Sequence, residues 1–167
     1  ARNPSIRALL VELDMRAPSL RRMLGVDPAS SIDALLTGEA TPEQATARLS
    51  PNLALCMARG RVANSAELLS TPSSLQNLAR LRQRLAPDVV LYDLPPLFGC
   101  DDALAFLPNA DAVLLVAAAG ATTADSVSEC ERLIGSSAAI LGVVLNKAGA
   151  SEADAYGVEY GDADVSV

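Results

Sequence analysis

Histidine and tryptophan are absent from this 167-residue chain, lysine occurs once, and aromatic residues make up only 3%. Without histidine there is no Ser-His-Asp triad, no imidazole general base and no histidine-ligated metal. Cysteine is sparse as well. Cys56, Cys100 and Cys130 show no C-x-x-C spacing, which reads as reduced, structural thiols rather than a disulfide framework or a zinc site. The longest apolar runs, Ala112 to Ala119 and Ala138 to Leu145, fall far short of a membrane span, and the opening residues carry no signal-peptide pattern. The formal charge is −7, with no basic run and no aromatic interleaving. Nucleic acid is therefore not an expected partner.

What remains is aliphatic. Half of the residues are hydrophobic, enough for one domain with a substantial core. The dominance of Ala, Leu and Val suits helices packed on a parallel sheet. Short apolar runs alternate with helical patterns. Strands are expected at Ala8 to Leu13, Leu53 to Met57, Val89 to Asp93, Ala112 to Val116 and Ile140 to Leu145. Helices are expected after Pro18, over Ser31 to Gly38 with a glycine stop, from Pro42, from Asn64, over Pro72 to Leu85, over Asp101 to Leu107 and over Thr122 to Ile134. This alternation predicts an α/β fold, an open parallel sheet with helices on both faces. The domain is expected over residues 1–148. Residues 149–167, with Glu152, Asp154, Glu159, Asp162 and Asp164, read as an acidic, flexible tail.

Ligands of parallel α/β sheets bind beyond the carboxyl ends of the strands. Three such ends carry polar groups here: Glu12 and Asp14, then Asp93, then Asn146 and Lys147. An acid closing an apolar strand is a recurrent way to hold Mg²⁺ beside nucleotide phosphates. Period 2 would place Glu12 and Asp14 on one side of the sheet, as a shared metal site requires. Plainer readings stand beside these. Asp14 and Arg16 also suit a surface ion pair, Asn64 and Glu67 an N-terminal cap with its N3 acid, Lys147 an exposed helix start, and Tyr92 simple packing on the sheet.

Five segments in order resemble one family. Leu9-Leu-Val-Glu-Leu-Asp-Met-Arg-Ala-Pro-Ser-Leu20 is similar to the second acidic motif of the bacterial tyrosine autokinases, V-D-x-D-x-R-x-P. Asn64-Ser-Ala-Glu-Leu-Leu-Ser-Thr-Pro72 resembles their N-P-x-E-L-L segment. Val89-Val-Leu-Tyr-Asp-Leu-Pro-Pro96 resembles their Walker B strand, Asp101-Asp-Ala the D-A that follows it, and Gly142-Val-Val-Leu-Asn-Lys147 their closing strand. The resemblance implies a P-loop NTPase-like fold of the MinD/ParA type, with ATP and Mg²⁺ used to phosphorylate tyrosines in a C-terminal cluster. It also implies a role in capsule or exopolysaccharide production. The implied setting is the cytoplasmic face of the plasma membrane, beside a Wzz-like chain-length protein or domain and in a homo-oligomer. By matching positions, Glu12, Asp14 and Asp93 fall on catalytic carboxylates, with Glu12 and Asp93 toward the metal. Arg16 and Asn146 fall on nucleotide contacts.

The departures are equally specific. The family's first strand and its G-K-[ST] phosphate loop are not among these residues, and the one lysine, Lys147, stands elsewhere. A phosphate loop needs glycine-freed backbone N–H groups and a lysine, so this stretch by itself is expected to bind ATP weakly or not at all. Two explanations are open: a sequence beginning just after the loop, or a member that has lost catalysis and kept a scaffold role beside the Wzz-like partner. A positioning ATPase of the ParA/MinD type is a further alternative, disfavoured by Arg16-Ala-Pro18 and the Asn64 segment. Because the family's first strand is central, its absence predicts two half-sheets. Glu12 replaces the usual Asp and moves the carboxylate by about 1.5 Å, one C–C bond. Tyr156 and Tyr160 are the tail's two tyrosines and the candidate phosphoacceptors.

Overall fold

The computed structural model describes residues 3–135 and 137–149. The tail expected to be flexible, with Tyr156 and Tyr160, lies outside them from residue 150 onward. The described residues form two compact units that divide between Leu107 and Pro108.

The first unit is built around β1 (Ala8–Glu12), flanked on one side by β3 (Leu53–Cys56) and on the other by β4 (Val89–Asp93), both parallel to it. Leu9 and Val11 are fully buried and share a face with their cross-strand partners Val90 and Tyr92, which pack against the same core. That face is covered by the apolar sides of short helices. These are α2 (Ile32–Thr37), α3 (Pro42–Ala45), α4 (Ser65–Ser70), α5 (Pro72–Leu85) and α6 (Asp102–Phe106), while α1 (Leu20–Leu24) buries no residue. Ile32, Leu35 and Leu36 join Leu69, Leu78, Leu81 and Phe106 in one cluster. The ring of Tyr92 meets Phe106 edge-on at 4.7 Å, the packing role expected of it.

Capping explains where these helices start and stop. Thr41 and Gln44 form a reciprocal capping box ahead of α3, and Thr71 accepts from the Ser74 amide with Pro72 at N1 of α5. Gly38 ends α2 in the left-handed region at φ +84, and Asn77 and Ser74 of α5 donate to the freed Leu36 carbonyl at 3.1 and 3.3 Å. The expected cap at Asn64 is not made: its side chain forms no capping hydrogen bond.

Two features depart from expectation. Thr46–Ser50 is a strand, β2, pairing antiparallel with β3 around the Pro51-Asn52 turn, so the sheet order is β2-β3-β1-β4 with one antiparallel edge. β1 also stops at Glu12, leaving Asp14 in the loop, so strand periodicity does not govern its side chain.

The second unit pairs β5 (Ala112–Ala118) in parallel with β6 (Ala139–Asn146) and carries α7 (Ala124–Ile134), capped by Thr123. Leu141 is skipped in the register, a bulge completed by Gly142 at φ +153. Four strands in one sheet and two in another match the two half-sheets expected without the family's central strand. Leu91 of β4 and Leu114, Val116, Leu141 and Leu145 of the β5–β6 pair are more than half exposed.

Candidate functional site

β1, β3 and β4 run the same way, so their carboxyl ends share one edge of the sheet. Glu12 and Asp93 are direct register partners there. The Leu13 and Asp14 amides both donate to the Asp93 carbonyl, at 2.8 and 2.9 Å, tying the loop after β1 to the end of β4. Three acids thus gather at this edge, and they are not equivalent.

Glu12 is fully buried. One carboxylate oxygen accepts from the Ser19 and Leu20 amides at 2.6 and 2.8 Å, the other from the Ala58 amide at 3.0 Å. Those first two donors open α1, where a negative charge is favoured by orphan N–H groups and the helix dipole. Glu12 therefore fastens α1 and the segment after β3 to the central strand. Asp14 accepts from the Ala17 amide at 3.0 Å and shapes its own turn. Asp93 is exposed, and its carboxyl is pushed above the ordinary range by partial desolvation and then by the negative charges of Glu12 and Asp14. Such a group is poised to gain from a cation.

Arg16 does not pair with Asp14, as the surface ion-pair reading had it. Its Nε donates to Asp102 Oδ1 at 2.5 Å. Asp102, fully buried at the start of α6, accepts through its other oxygen from the Ser65 hydroxyl of α4. Burial alone would raise the Asp102 carboxyl, but the bonds from Ser65 and Arg16 outweigh it and hold the pKa below the usual carboxylate value. The Arg16 carbonyl accepts from Arg61 Nε at 2.6 Å, and the Met15 carbonyl from the Val62 amide at 2.9 Å. Sequence reasoning named Arg16 and placed Asp102 and Ser65 within two family-like segments, but gave neither of them a role beside Arg16. The visible signal was an acid immediately ahead of Ala103 and Phe106, on the face that helix buries.

Asn146 ends β6 in the second unit, where its side-chain oxygen accepts from the Lys147 amide at 2.8 Å and its carbonyl from the Ala119 amide at 2.8 Å. Lys147 is exposed at φ +61 directly after the strand, not at a helix start. Cys56 is buried, Cys100 and Cys130 are half-buried, and all three are free thiols, as expected. Among the described residues, no group of three or more Cys, Asp or Glu side chains has the arrangement of a metal cage. The donors present nonetheless suit Mg²⁺, which keeps several waters and takes one or two carboxylates. The exposed, repelled carboxyl of Asp93 beside Asp14 is such a set.

No family model matches the chain. It is 34% identical over 157 residues to the succinoglycan biosynthesis transport protein ExoP of Rhizobium meliloti, across 90% of this chain and 20% of that protein. It is 30% identical over 142 residues to the putative tyrosine-protein kinase EpsB of Ralstonia nicotianae, across 84% of this chain and 19% of that protein. The chain thus spans about a fifth of the length of these relatives. Among solved structures, the VpsO kinase domain aligns with TM-score 0.77 and 27% identity, covering 87% of this chain and 72% of that one. A cobyrinic acid a,c-diamide synthase from Mycobacterium smegmatis, bound to an ATP analogue and magnesium, aligns with TM-score 0.61 and 25% identity over 84% of this chain and 62% of that one.

Proposed function

Since this chain belongs to the bacterial tyrosine-kinase family, on a MinD/ParA-like fold, we propose that it forms the magnesium side of an ATP site in a protein-tyrosine autokinase. That kinase would act in exopolysaccharide or capsule production. The observation that carries this function is Asp93: an exposed carboxyl at the carboxyl edge of a parallel sheet, raised by desolvation and two neighbouring acids. A structural acid gains nothing from such repulsion, whereas a cation site does.

Asp93 and Asp14 would hold Mg²⁺, which supplies charge neutralisation on the β- and γ-phosphate oxygens when bound. Glu12 serves this arrangement from behind, fixing the loop that carries Asp14 through its three backbone donors. Arg16 lies on the same loop and would face the nucleotide. The phosphate-binding loop of the family is not among these residues, and the proposed ATP site would require one. Tyr156 and Tyr160 are the proposed acceptors, on this copy or a neighbouring one. A Wzz-like membrane protein or domain at the cytoplasmic face is the proposed partner.

The test is phosphotyrosine mapping of the full-length protein after incubation with Mg-ATP. Labelling at Tyr156 or Tyr160 that disappears in Asp93→Ala is the expected result. No labelling of the wild type would refute the kinase assignment, and undiminished labelling of Asp93→Ala would remove Asp93 from the site.

A further inference from the structure

Three segments far apart in sequence meet at one buried carboxylate. Arg16 comes from the loop after β1, Ser65 from the first turn of α4, and Asp102 from the first turn of α6. Asp102 is fully buried and the Arg16 side chain is 42% exposed. The guanidinium is thus gripped at its inner end and open at its outer end. Only Nε is engaged by Asp102, and no other side-chain hydrogen bond of Arg16 is found among the described residues. The backbone beneath is fixed too, with the Met15 and Arg16 carbonyls taken by Val62 and Arg61.

An arginine that served only to neutralise Asp102 would offer its fork, two N–H groups to two oxygens, which is the stronger geometry. Here the second oxygen of Asp102 is given to the Ser65 hydroxyl instead, and the Nη groups, on a side chain left 42% exposed, make no hydrogen bond among the described residues. A guanidinium held by Nε keeps one rotamer and presents a planar, two-pronged donor that matches phosphoryl oxygens. The ordering cost of the long side chain is then met before any ligand arrives.

We propose that Asp102, backed by Ser65, is a positioning residue that holds Arg16 with its Nη edge presented to a nucleotide phosphoryl group. This role presupposes the ATP site proposed above. It adds a specific division of labour: Nε for the clamp, Nη for the ligand, and Asp102 acting only through Arg16.

The test is a double-mutant cycle on the full-length protein, reading affinity for a fluorescent ADP analogue with Mg²⁺ and the midpoint of thermal unfolding. Arg16→Ala and Asp102→Asn should each weaken binding by about tenfold, equivalent to about 1.4 kcal/mol, and the double variant should bind no more weakly than Arg16→Ala alone. Arg16→Lys guards against a folding defect in Asp102→Asn. Lysine keeps Asp102 paired through its single ammonium but has no outward prongs, so binding should fall about tenfold, about 1.4 kcal/mol, at an unchanged midpoint. Additive losses in the cycle, or full affinity in Arg16→Lys, would overturn the positioning role. A wild-type protein that binds no nucleotide would instead overturn the ATP site itself, and the positioning role with it.

Discussion

Glu12 holds its charge against backbone donors. Three amides converge on its carboxylate and no water reaches it. Glu12→Gln puts an amide N–H against a backbone N–H and is expected to cost about 1–3 kcal/mol. Glu12→Asp, the residue usual in the family, shortens the reach to donors on two separate segments and should also destabilise, by a similar 1–3 kcal/mol or so. Urea unfolding checks both, and an unchanged midpoint in either would show that the anchor is dispensable. Asp93 behaves in the opposite sense. Its carboxyl pKa is raised in the fold, so the folded state holds that proton more tightly than the unfolded chain does. Its ionised form therefore opposes folding, and the penalty fades as pH falls through the raised value. Asp93→Asn should be modestly more stable than wild type at pH 7, with the difference closing below about pH 4. Mg²⁺ should raise the wild-type midpoint more than that of the variant. Thermal melts across pH, with and without Mg²⁺, measure both effects. The sequence revealed these acids because each closes an apolar strand. It could not reveal that Glu12 is sealed by amides or that Arg16 prefers Asp102 to Asp14, because those partners are set by loops folding back from 7, 46 and 86 residues away.

At the scale of elements, local punctuation was the most legible layer. Gly38, Pro42, Pro72 and the apolar strand runs mark boundaries that the structure reproduces to within a few residues. Strand β2 was missed although Thr-Ala-Arg-Leu-Ser alternates polar and apolar residues, because its two apolar members, Ala47 and Leu49, follow directly on the helix starting at Pro42. Its residues are mostly half-buried or exposed, and it exists by pairing with β3. Gly38→Ala forces a Cβ into the left-handed region, with Asn77 Nδ2 at 3.5 Å from it. The φ requirement dominates, and a loss of about 1–2 kcal/mol is expected. A midpoint matching wild type in denaturant titration would mean that α2 can end another way. The two faces of the sheet can be compared directly. Leu9→Ala, in the core, should cost about 2–5 kcal/mol, whereas Leu91→Thr, more than half exposed on β4, should fall within about 0.5 kcal/mol of wild type. Equal losses would mean that Leu91 is covered in solution.

For the molecule as a whole, the thiols give a sensor of global opening. Burial pushes Cys56 up to about 12, and it lies in the core beside β1. Thiolates react and thiols do not, so Cys56 should resist iodoacetamide until the first unit unfolds, while the half-buried Cys100 and Cys130 label in the native state. Mass spectrometry of the labelled peptides decides this, and native labelling of Cys56 would show that β3 opens locally. Contacts divide the chain after Leu107, and each unit carries one of the two half-sheets expected from the sequence. That division is invisible in composition, since both sides carry the same Ala-Leu-Val strands.

The pairing of β1 also fixes an order of events during synthesis. The strand is made before its outer partner, which begins 81 residues later, as the Arg7–Asp88 bond records. At translation rates of about 5–20 residues per second, roughly 4–16 seconds separate the two. Through that interval Leu9 and Val11 wait for the strand that completes one side of their sheet. Slow, long-range closure of this kind favours misassociation on crowded polysomes. A nascent chain stalled before Val89 should therefore bind chaperones more avidly than one stalled after Asp93, once both strands have left the exit tunnel.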